Sequence, residues 1–184
     1  GIIMTLSEIF ADFILNNKDF SEKALYLSKR SIIDSMGAMI IGSKTHCAEK
    51  AEYMAGRDGS ATIIGFGGRY TAKAAAFVNR SSGHELALLA IAEETGCSGE
   101  KFLKAFLIAT EVECKIGRIC AKYLHERGWH ASSITGVLGS AAGCGYLLDQ
   151  SRDKLINSIG IAASMASGVR ENFGTATKSI HIGK

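Results

Sequence analysis

Apolar residues recur at helical spacing along most of the chain. Leu6, Ile9, Phe10, Phe13 and Ile14 follow a Thr5-Leu6-Ser7-Glu8 capping box. Ser21 opens a second helical pattern reaching about Ile41, with Leu25, Ile32, Ile33, Met36 and Ile40 expected inward and Gly42 as the stop. A short helix is predicted over Cys47 to Ala55, and an Ala-rich one from a Thr71 cap to about Asn79. Ala87 to Thr95 comes next, ended by Gly96. A long helix then runs from a Ser98 cap through Gly99 to about Leu124. Ser132 or Ser133 opens the next helix, whose Gly136, Gly139, Ser140 and Gly143 form a small-residue face for close backbone approach. Ser151 opens a last helix ending near Ala166. Only Ala61 to Phe66 reads as a strand, bounded by Gly59 and Gly67.

That pattern predicts an all-α helical bundle with at most one short strand. At 184 residues, a single domain spanning 1–184 is expected. Hydrophobic residues make up 47% and charged ones 21%, the balance of a soluble globular protein. A net charge of +3 without a Lys/Arg run argues against a nucleic-acid partner. Ala131 to Leu148 is uncharged and just long enough to span a membrane, but its glycines and hydroxyls make it too polar, so a core helix is expected and no membrane partner. Five cysteines without a CxxC pair read as reduced thiols, which favours the cytoplasm.

Two segments escape the helical period and carry polar chemistry. Gly128-Trp129-His130 lies between two helical patterns, and Ser167 to Lys184 collects glycines, hydroxyls, Arg170, Lys178 and His181. His130 stands at a helix entrance where Trp129 would shield it and the helix N-terminus would attract an anion; a plain helix cap is the blander account. Lys178 sits among Gly174, Thr175 and Thr177, placed to bind a carboxylate or act as a perturbed lysine. Arg170 suits either a bidentate carboxylate contact or the closing of a helix C-terminus. Glu111 and Glu113 read as internal acid/base carboxylates or, more simply, as salt-bridge partners of Lys115 or Arg118. No metal motif occurs, Gly65-Phe66-Gly67-Gly68 lacks the third glycine of a dinucleotide loop, and no GxSxG elbow supports a hydrolase. Neither metal nor organic cofactor is expected.

Several pieces in order resemble the N-terminal part of the MmgE/PrpD family. They are Asp34-Ser35-Met36-Gly37 with Gly42, Ala74 to Asn79, Ala92-Glu93-Glu94 with Ser98-Gly99-Glu100, Gly128-Trp129-His130, and Phe173 to Lys178 followed by His181 and Gly183. In this family the Asn-rich junction leads into a His and an acidic run before the helix ending in Ala-Glu. Here His84 matches the first His, and Ala87 already begins the later helix. The resemblance therefore implies a gap in the sequence between Leu86 and Ala87, and a second α+β domain that this chain does not contain.

What the resemblance implies is chemistry on small di- or tricarboxylates through an enolate-like intermediate. Dehydration of the 2-methylcitrate dehydratase kind, as in propionate catabolism, makes the chain part of a hydro-lyase; decarboxylation and epimerisation are the family's other reactions. It assigns His130 and Lys178 to catalysis, and Arg170, His181 and His84 to substrate contact, in a homodimer without cofactor. The alternative from another class is a non-catalytic helical binding or oligomerisation module.

Overall fold

The computed structural model describes residues 3–17, 19–83, 87–175, 177, 178 and 180. Eight α-helices are present among them: α1 (Leu6–Asn16), α2 (Glu22–Gly42), α3 (His46–Tyr53), α4 (Ala72–Gly83), α5 (Ala87–Thr95), α6 (Gly99–Glu126), α7 (Ala131–Leu147) and α8 (Arg152–Met165). The all-α expectation holds. The capping box forms as read: Thr5 accepts from the Glu8 amide at 3.3 Å, and the Glu8 carboxylate accepts from the Thr5 amide at 2.7 Å. Ser21 and Ser98 likewise cap α2 and α6 through their hydroxyls.

The strand lies elsewhere than its apolar pattern suggested. β1 spans Arg57–Ala61, and among the described residues its bridges run antiparallel to Tyr70 alone. Ile63 is buried in the irregular stretch that follows, where Asn79 of α4 replaces a ladder partner. The Asn79 amide donates to the Thr62 carbonyl and accepts from the Ile64 amide, both at 2.8 Å. Glu93 of α5 accepts from the Thr62 amide and hydroxyl, both at 2.6 Å. Side chains from two helices thus satisfy this backbone, which removes the need for a second strand.

A correction also applies to α2. Its inward line is Leu25, Ser28, Ile32, Ser35 and Met39, whereas Ile33, Met36 and Ile40 are exposed. The helix is apolar around much of its circumference, so period alone does not pick the face that packs against α4 and α6.

α7 is the centre of the fold. It packs against α6 and α8, and its Leu138 and Ala142 join Phe10, Ile14, Val112 and Leu155 in one cluster. Its other end contributes Leu147 to a second cluster with Met39, Leu88 and Phe106. Of the expected small-residue face, Gly139 and Gly143 meet the α6 backbone, whereas Gly136 and Ser140 face the Arg80 side chain of α4. A Cβ at Gly139 would lie 2.8 Å from the Ala109 carbonyl oxygen, and one at Gly143 would lie 3.0 Å from that of Ala105. Small residues one helical turn apart on both helices therefore bring the two backbones together. Among the described residues no helix is long and apolar enough to cross a membrane.

Candidate active site

His130 ends the turn after α6 and is the N-cap residue of α7, two or three residues earlier than the Ser132 or Ser133 start read from the sequence. Gly128 permits this turn by taking φ 83°, a left-handed conformation open to glycine at little cost. The imidazole is 5% exposed and makes no capping hydrogen bond, which sets aside the plain-cap account. The ring against it belongs to Phe173, edge-on at 4.9 Å between centroids and 77° between planes. Trp129, expected as the shield, is exposed, and its backbone pairs with Val169 instead.

This pairing joins the two segments that the sequence singled out. The His130 amide donates to the Gly168 carbonyl at 2.9 Å, and the Arg170 amide donates to the Gly128 carbonyl at 2.8 Å. The Ser133 hydroxyl adds a third tie, donating to the Ser167 carbonyl at 2.7 Å. From there the chain makes a 3-10 turn over Arg170–Asn172 and brings Phe173 under His130.

Lys178 comes back to the same place. Its Nζ stands over the Phe173 ring at 4.8 Å from the centroid, a cation–π contact. Since 4.8 and 4.9 Å are measured from one centroid, the ammonium and the imidazole centre are no more than about 10 Å apart. Thr177 and Lys178 have helical conformation, and the Lys178 amide donates to the Thr175 carbonyl at 3.2 Å, so the lysine is presented by a short turn rather than an open loop. The sequence placed two proton- or charge-bearing side chains near each other, and one phenyl ring links them.

Arg170 takes the helix-closing role of its two readings. Its Nη1 contacts His125 Nε2 at 3.1 Å and donates to the His125 carbonyl at 3.3 Å, in the last turn of α6. His84 and His181 lie outside the described residues. Glu111 forms the simpler salt bridge, to Lys115 at 2.5 Å, on the surface. At Glu113, Thr135 of α7 donates to Oε1 at 3.1 Å in a half-buried setting.

Two residues escaped the sequence reading. Phe173 was seen only as part of a motif. Arg80, 5% exposed at the end of α4, was not singled out at all, although a lone charge one turn beyond Ala76 and two beyond Ala72 was the available signal. Burial pushes its pKa below the usual arginine range, opposed by the Glu113 carboxylate.

The MmgE/PrpD N-terminal domain model matches residues 84–184. The chain belongs to the MmgE/PrpD family. It is 29% identical to the cis-aconitate decarboxylase of Homo sapiens over 212 positions, covering 99% of this chain and 44% of that protein. The Mus musculus cis-aconitate decarboxylase is 28% identical, with 99% and 43% covered. A cis-aconitate decarboxylase-like protein of Aspergillus oryzae is 28% identical, with 84% and 38% covered. The chain spans less than half the length of these curated relatives. The human alignment is longer than the 184 residues of this chain, so the relative carries residues inside the matched stretch that this MmgE/PrpD chain lacks.

Proposed function

We propose that this chain supplies the helical part of a lyase acting on small di- or tricarboxylates, with His130 and Lys178 in its active site. The observation that carries the reading is their shared contact with Phe173: a buried imidazole and a half-buried ammonium, remote in sequence, face one ring. In such a reaction a bond to carbon breaks next to a carboxylate, and the electron pair left behind is held as an enolate. Lys178 holds a substrate carboxylate and stabilises the developing charge, His130 moves the proton, and the N-terminus of α7 adds a favourable field for an anion. None of these roles calls for a metal or organic cofactor.

The curated relatives are cis-aconitate decarboxylases, which favours loss of CO2 from a tricarboxylate followed by protonation of the carbanion. Dehydration of a 2-methylcitrate-like substrate is the second reading and uses the same groups. The residues that the relatives carry within the matched stretch fall, in this reading, between Leu86 and Ala87, together with the family's acidic run. The exposed apolar residues of α2, among them Tyr26, Ile33, Ile40 and Ile41, support a homodimer built through this domain.

The test uses the complete encoded protein, assayed by proton NMR with cis-aconitate and with 2-methylcitrate. His130→Ala and Lys178→Ala should each lower turnover by about 10²-fold or more. Their combination should be far less than additively worse, as for groups serving one step. Near-normal turnover in the double variant would refute the shared site. No turnover of either substrate by a folded complete protein would favour the binding-module alternative.

A further inference from the structure

Arg170 reaches the end of α6 from the strip that follows α8. Its Nη1 donates to the His125 carbonyl at 3.3 Å and lies 3.1 Å from His125 Nε2. A guanidinium nitrogen has only protons to offer, so Nε2 is the acceptor in this contact. The His125 ring is therefore neutral, with its proton on Nδ1. Protonation of Nε2 would remove the acceptor and set two cations against each other.

What hangs on Arg170 makes this contact consequential. Its amide donates to the Gly128 carbonyl at 2.8 Å, and its carbonyl accepts from the Phe173 amide at 3.0 Å. Arg170 thus opens the 3-10 turn that brings the Phe173 ring to His130 and Lys178. The backbone bonds join the strip to the turn before α7, and the Arg170 side chain alone carries its anchorage on to the last turn of α6.

The charges around His125 come from two elements. On α6, Lys122 lies one turn earlier and stands 4.0 Å from Glu126, and Arg127 follows at the C-cap. On the strip are Arg170 and the exposed Glu171. The carbonyls that end a helix attract a cation, and here Arg170 takes that place. Imidazole is the side chain that changes charge between roughly pH 5 and 8. Once protonated, His125 would compete with Arg170 for the same carbonyls as well as repel it.

We propose that His125 is a positioning residue. As a neutral imidazole it holds Arg170, and through Arg170 the turn that sets Phe173 against His130 and Lys178. Its effect on turnover rests on the assignment of those two residues to the active site; the coupling within the fold does not.

The coupling is read by NMR on the 184-residue chain, titrated with acid while the His125 and His130 imidazoles and the Phe173 ring are followed. Neutral His125 should carry its proton on Nδ1. The Phe173 signals should show a step at the His125 midpoint besides the one due to His130. That step should vanish in His125→Gln, which keeps an acceptor for Arg170 but does not titrate. Arg170→Met should raise the His125 midpoint, because a neighbouring cation disfavours the imidazolium. In the complete protein, the loss of turnover on acidification should be about 2- to 5-fold larger in the parent than in His125→Gln, the scale of one solvent-exposed charge pair. Phe173 signals that titrate alike in parent and His125→Gln would overturn the proposal, as would a His125 midpoint unmoved by Arg170→Met. If the Phe173 step follows His125 while turnover ignores it, the coupling stands and the assignment of His130 and Lys178 falls.

Discussion

Replacing Gly139 with alanine tests the seam on which the fold is built. Alanine is about 1 kcal/mol better than glycine inside a helix, so on propensity alone the change stabilises α7. The new Cβ, however, would lie 2.8 Å from the Ala109 carbonyl oxygen and 3.2 Å from Glu113 Cβ. The first of these contacts is backbone, which has no rotamer to yield, so α6 and α7 must separate. Overpacking of this kind costs roughly 1–3 kcal/mol, which cancels or outweighs the gain. Gly160 of α8 is the control, because it is exposed and a Cβ there meets nothing within 4 Å. Gly160→Ala should therefore show the full stabilisation of about 1 kcal/mol, or some 2–4 °C in Tm for a chain of this size. Urea titration followed by circular dichroism at constant m gives both values, and their difference isolates the steric cost because propensity cancels. A Gly139→Ala variant stabilised as much as Gly160→Ala would refute close packing at this point.

Asn79→Ala should destabilise the chain by about 1–3 kcal/mol, because it strands the half-buried Ile64 amide and Thr62 carbonyl; a loss within 0.5 kcal/mol in the same titration would contradict the clamp. Phe173→Leu should lower turnover of the complete protein by about 10-fold while barely moving Tm, since the ring is half exposed yet positions both His130 and Lys178. Hydrogen bonding and charge from Arg152 hold the Asp12 carboxyl below its ordinary range, so this pair adds stability above about pH 4 that fades as pH falls through the depressed value. Arg152→Met should accordingly be less stable than the parent near neutral pH and converge with it in acid; a gap that widens on acidification would reverse the assigned sign. Dialysis of the complete protein against a strong chelator should leave any turnover intact, and loss restored by one divalent ion would show that a metal is needed.

Periodicity revealed the helices because each buries a stripe against a neighbour. It was weakest where stripes were ambiguous, as on α2, whose apolar residues outnumber the positions that a neighbour covers. It also misplaced the strand: Ile63 is apolar because it is buried, its carbonyl accepts from the Phe66 amide in a turn, and its neighbours Thr62 and Ile64 bond the Asn79 side chain rather than a ladder. Asn79 and Glu93 are legible as motif residues, but their service to the Thr62–Ile64 backbone arises only in the folded chain. At the candidate site, His130 and Lys178 were legible from residue type and setting. Phe173 and Arg80 were not, because their roles depend on contacts across the fold that no local pattern encodes.

The pairing of Trp129 with Val169 has a consequence for how the site is assembled. Three hydrogen bonds tie the turn before α7 to the segment after α8, so His130 and the strip leading to Phe173 move as one body. Two independent loops would have to be caught in register each time a substrate arrived, and part of the affinity would be consumed in ordering them. Here that ordering entropy is lost once, when the chain folds. Under the proposed assignment of His130, a substrate would meet a nearly finished geometry, and its binding free energy would be left for bringing the reacting carbon up to the imidazole.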